Sequence, residues 1–180
     1  MIRILFLILP LVGILVMIVY NQVIKRQNDI ETAWSSLQPH FKQRYSIAKA
    51  LLHITINYKD NFGSLLAQLE AAYSSSIINK LIPEQIKAEE IFTQALSDFW
   101  VAYNAKEIED LSLKLWPLKL QLEEVDNNIK LSAFTYNGAV NQYNQLIDSF
   151  PGNIVAGMMR FDKHRRLEWV SSTGNSNVSS

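Results

Sequence analysis

The chain has no cysteine among its 180 residues. Disulfides, thiolate metal sites and a cysteine nucleophile are therefore excluded. Net charge is also lacking, because 17 basic residues balance 17 acidic ones. A nucleic-acid binder needs a basic face to neutralise phosphates, so that class of partner is set aside. The six glycines are scattered, so no loop can gather backbone donors around a phosphate. Gly-x-Ser-x-Gly is absent. The three histidines His40, His53 and His164 lack the Glu-x-x-His pairing of di-iron bundles. Glu123, Glu124 and Asp126 are helix neighbours that point in different directions, as on a solvated face. No cofactor, no metal and no enzyme activity is expected.

What is present begins with a long apolar run. Residues 4–20, "ILFLILPLVGILVMIVY", carry no charge, and Ile2 extends the run beyond Arg3. Roughly 19 residues at about 1.5 Å each give roughly 28 Å, near the hydrocarbon thickness of a bilayer. Pro10 and Gly13 are tolerated in such helices, and Tyr20 stands where an interfacial aromatic belongs. A cleaved signal peptide would need small residues before the cut, and "VMIVYNQ" lacks them. An uncleaved anchor over residues 2–20 is expected. The flanks nearly balance, with Arg3 before and Lys25 and Arg26 after. Arg3 holding a short N-terminus inside favours an extracytoplasmic bundle.

Beyond the anchor the apolar spacing is helical. Ile30, Trp34, Leu37, Phe41, Tyr45, Ala48, Leu52 and Thr55 follow in steps of three or four, which keeps them on one face. No breaker separates them from Tyr20, so the anchor is expected to run into this helix. Pro39 is expected to kink or split it. "YKDNFGS" at 58–64 reads as a turn. A second helix carries Leu65, Leu66, Leu69, Tyr73 and Ile77. Pro83 opens a third, with Ile86, Phe92, Leu96, Phe99 and Tyr103. Pro117 should stop or bend any helix before it.

The fourth stripe is Leu118, Leu122, Val125, Ile129, Ala133, Tyr136, Val140, Tyr143, Ile147 and Phe150. It is a coiled-coil-like seam, the inner face of a bundle. Tyr-Asn occurs twice in it, seven residues apart. Asn137, Asn141 and Asn144, with Asp148, make an adjacent polar stripe. Packing explains the repeat as two helical turns; a ligand or peptide site is the other reading. "RFDKHRR" at 160–166 is the densest basic cluster. Its Lys163, Arg165 and Arg166 form a candidate surface for anionic headgroups or an acidic partner, and a solvated loop is the plainer reading.

Two blocks resemble the LemA family of bacterial membrane proteins. The first is "YNQVIKRQNDIETAWSSLQPHFKQRY", through Tyr20, Asn21, Asn28, Glu31, Ala33, Trp34, Lys42 and Arg44. The second is "DNNIKLSAFTYNGAVNQYNQLIDSFPGNIVA", through Asn127, Ile129, Tyr136, Asn137, Val140, Tyr143, Asn144, Phe150 and Pro151. The family's Ile-Pro-Asn-Leu stretch is replaced by "IAKALL", its arginines before the second Tyr-Asn are Ala133 and Phe134, and residues 59–116 do not align. The resemblance implies a membrane-anchored antiparallel helical bundle with no known catalytic activity, and it supplies no site residues.

The expected fold is all-α: an N-terminal transmembrane helix followed by an antiparallel bundle of about four long helices. The expected division is an anchor at 1–22, a bundle at 23–151, a C-terminal segment at 152–170 packing on it, and a disordered tail at 171–180. The expected role is that of a single-pass protein of the bacterial inner membrane that binds other proteins. A ligand-binding or sensory module is the alternative.

Overall fold

The computed structural model describes residues 2–78, 81–106, 108–169 and 173, with backbone alone at 2–8, 59 and 109. The tail at 171–180, Thr173 excepted, lies outside them. Among the described residues five α-helices follow one another: α1 Ile2–Thr55, α2 Lys59–Ser76, α3 Ile82–Asn104, α4 Glu109–Asp148 and α5 Gly152–Met159. A short 3-10 turn, Ile56–Tyr58, joins α1 to α2. The fold is all-α, and no strand occurs among the described residues.

The chain forms two compact units. One contains residues 1–35 and 135–166, the other residues 36–134 and 167–180. In the first unit α1 and α4 run antiparallel: Trp34 meets Tyr136, and Gln22 shares a groove with Ser149. In the second, α2 and α3 are antiparallel, with Phe62 against Phe99 and Tyr73 against Phe92. There too α1 opposes α4, since Arg44 faces Asp126 and Tyr58 donates to Asp110.

The α4 seam is buried from Leu122 through Val125, Ile129, Ala133, Tyr136, Val140 and Tyr143 to Ile147. Phe150 is not part of it, at 77% exposed, because α4 ends at Asp148. Leu118 is half-buried, and Ile77, beyond the end of α2, is exposed.

Neither interior proline ends a helix. Pro39 lies within α1 and Pro117 within α4. Proline removes a backbone donor and costs about 3 kcal/mol in a helix interior. Both prolines are on exposed sides, where water can take the freed carbonyl. Buried side chains continue across each: Leu37 and Phe41 around one, Leu115 and Leu122 around the other. The expected turn at 58–64 is overruled as well. Helix α2 already starts at Lys59, and Phe62, buried and ringed against Phe99, holds its first turn in the core. Pro83 occupies the first turn of α3, as expected.

Between α4 and α5 the chain turns sharply. A Cβ on Gly152 would lie 1.9 Å from the carbonyl oxygen of Leu146, so only glycine allows this approach.

Candidate functional site

Two clusters of polar side chains are built into the molecule, one in each unit. In the first unit the Tyr-Asn repeat is tied to the segment after α5. Tyr136 is buried, and its hydroxyl donates to the carbonyl of Arg165 at 2.8 Å. Burial pushes that phenol up to about 12. Asn144 binds the backbone of His164 at both ends of its amide, donating at 2.9 Å and accepting at 3.0 Å. The Tyr143 ring meets the His164 imidazole edge-on at 4.9 Å. Its phenol is raised by burial and by Asp162. Burial lowers the His164 imidazole, against the opposing pull of Glu31.

The polar stripe is therefore divided. Asn144 holds the 160–166 segment, Asn137 is half-buried and Asn141 is exposed. The basic residues are divided too. Lys163 pairs with Asp148 at 2.8 Å, Arg165 is held by its carbonyl, and Arg166 is exposed.

The second unit contains a cluster that the hydrophobic spacing did not disclose. Arg44 of α1 has no exposed surface. Its guanidinium pairs with Glu89 of α3, also fully buried, donates to the Thr93 hydroxyl at 3.0 Å and lies 4.0 Å from Asp126 of α4. Glu89 accepts further bonds from the Tyr45 hydroxyl and from the Gln85 amide. Burial first, and then Glu89, push the Tyr45 phenol far up. Aromatic faces close the cage: Trp169 at 4.4 Å and Phe92 at 4.8 Å from the guanidinium carbon. The Arg44 Nε is buried without a hydrogen-bond partner among the described residues. A cleft of about 240 Å³ borders this cage, lined by Thr93 and Trp169 together with Glu90, Gln94, Ser97, Leu167 and Glu168.

A signal for this cluster was present. Arg44 stands three residues after Phe41 and seven after Leu37, on the core stripe. Glu89 stands three after Ile86 and three before Phe92. A charge on a core face, answered by the opposite charge on another core face, marks a buried pair. A guanidinium caged by a carboxylate, a hydroxyl and rings can hold helices in register. Among the described residues no His, Cys, Asp and Glu are grouped to hold a metal ion.

The LemA family's sequence profile matches residues 33–179, most of the chain. The chain belongs to the LemA family. The matched span takes in the middle stretch 59–116, which lies between the two motif blocks, and with it α2, α3 and the Glu89 side of the cage. Of the first motif block, Tyr20, Asn21, Asn28 and Glu31 lie ahead of the span. No curated protein matches this LemA-family chain.

Proposed function

We propose that this LemA-family chain is a single-pass protein of the bacterial cell membrane whose helical bundle docks other proteins, without catalysis. Among the described residues one helix is long and apolar enough to cross a membrane, by its N-terminal part, and it is α1. The observation that carries the docking is the outer face of α4 in the second unit. Leu113, Trp116, Leu120, Leu131 and Phe134 stand on it, between 48% and 82% exposed. Their spacing keeps them on one side of the helix, with the exposed Glu124 and Asn127 between the two apolar ends. Exposed apolar clusters of this kind mark an interaction face. An apolar ridge with a polar centre suits the groove or face of a partner helix.

A photo-crosslinking residue at Trp116 tests the reading in cells, with Glu70 on the exposed side of α2 as control. A protein adduct at Trp116, lost in Leu131→Glu at unchanged melting temperature, is expected. Adducts equal at both positions would leave the ridge without a role. An activity of the purified protein that a chelator abolishes would overturn the non-catalytic reading.

The sensory alternative rests on the 240 Å³ cleft lined by Thr93 and Trp169, both of which contact Arg44. Titration of the Trp169 indole resonance with acetate and with inorganic phosphate reads it. A resonance that stays in place makes the cleft a packing feature.

A further inference from the structure

Helix α5, "GNIVAGMM", contains no charged residue. Gly152, Val155 and Ala156 face the core. The opposite face carries Ile154 and Met158, 52% and 68% exposed, and Phe150 precedes them in the turn. A helix on a water-facing surface places polar residues opposite its core face. This one places its largest apolar side chains there.

Its position along α1 supplies the reason. The ring of Phe161, just past α5, lies 6.1 Å from the ring of Tyr20 at the end of the apolar run. Val19, inside that run, is only 5% exposed, while Met17 and Ile18 just before it are 65% and 49% exposed. The packed body thus reaches into the last turn of the apolar run. Charged and amide groups stand at the next level. Asp148 and Lys163 form an ion pair beside α5, in one groove with Asn153, Gly157 and Arg160. Gln22, Lys25, Arg26, Gln142, Gln145 and Ser149 line a groove of about 700 Å³. Moving along α1, the order is apolar span, aromatic and apolar contacts, then cationic and amide donors. That is the order of acyl chains, interface and headgroups across one leaflet.

We propose that the α4–α5 corner lies in the interfacial layer of the bilayer, with Phe150, Ile154 and Met158 dipped among the acyl chains beside the membrane-spanning part of α1. The protein is then held at the membrane twice, by a span and by a short helix lying on the same leaflet as the bundle. The outer face of α5 itself carries no charge, and the groove behind it offers Lys25, with Arg26 beside its ion-pair partner Asp29, to anionic headgroups. The inference rests on the anchor reading of α1.

The test uses the full chain in vesicles of phosphatidylcholine and phosphatidylglycerol. The lack of native cysteine allows single nitroxide labels at Ile14→Cys, Met158→Cys and Glu70→Cys. Collisions with oxygen and with a soluble nickel chelate report depth. The label at residue 158 is expected to meet oxygen readily and nickel several-fold less often than the label at 70, at a depth shallower than 14. A residue 158 as open to nickel as residue 70, with 14 in lipid, overturns the inference and leaves the anchor standing. Aqueous readings at both 14 and 158 overturn both. A residue 158 shielded from oxygen and nickel alike means that protein covers the corner, and overturns it as well.

Discussion

The two units solve the same problem, a core between long helices, with different chemistry. In the first unit the polar groups of the core are neutral and reach for backbone. Tyr136 donates to the carbonyl of Arg165, and Asn144 binds both sides of His164. In the second they include ions: Arg44 and Glu89 are both without exposed surface, with Asp126 at 4.0 Å from Arg44. A neutral side chain bound to backbone stabilises by a modest amount and is tolerant of loss. A buried ion pair contributes little against apolar residues of the same size, yet losing one partner leaves a bare charge in the core. The comparison teaches that the second unit should be brittle to single changes and forgiving of paired ones, while the first should degrade by steps.

The largest effect is expected where the ions are. Glu89→Ala should cost about 3–5 kcal/mol, because Arg44 keeps its buried charge after losing its close carboxylate and retains only Asp126, 4.0 Å away. Arg44→Met with Glu89→Leu should recover much or all of that loss, read as the urea midpoint. A double variant as weak as the single one would mean that the second unit does not differ from the first in this way. Trp34→Ala comes next. Trp34 is buried in the first unit with its ring 5.3 Å from that of Tyr136, so its removal should cost about 3 kcal/mol through the cavity left behind. An unchanged melting temperature would take Trp34 out of the core.

Asn144→Ala should cost less, about 1–2 kcal/mol for two hydrogen bonds to backbone. Hydrogen exchange should speed at the His164 amide while the amides of α3 stay protected. Uniform acceleration would show that the two units do not open separately. The smallest effect concerns pH. The folded His164 imidazole titrates below its usual 6.5, chiefly because it is buried. The unfolded chain then binds the proton first, so stability should fall as pH drops below about 6.5. In His164→Gln the thermal midpoint should decline less over that range. An identical slope in both proteins would sink the assignment.

Much of this was legible along the chain. Leu122 to Ile147 were placed on one buried face by their three-and-four spacing, and Trp34 and Phe41 were placed in the core by the same rule. Periodicity reads which side of a helix is apolar, and burial follows. It does not read where a helix begins against a local breaker. Pro39, Pro117 and the "KDNFG" stretch each carry a local penalty of a few kcal/mol at most, and the buried neighbours on both sides outweigh it. Phe150 failed the other way. Its spacing continued the seam, but α4 ends at Asp148, before it.

Arg44 and Glu89 show the division most clearly. Local pattern determined that the chain is helical, that one run can span a bilayer, and which stripes are apolar, because these depend on neighbours within a few turns. Only the tertiary structure decided that a cation on α1 and a carboxylate on α3 share one dry cage with Trp169. Forty-five positions separate the first two, and a charge is stable in a core only when a partner that distant arrives beside it. The same holds for α5. Its lack of charge stands in the sequence, but the level at which Phe161, just past it, meets Tyr20 was set by packing alone.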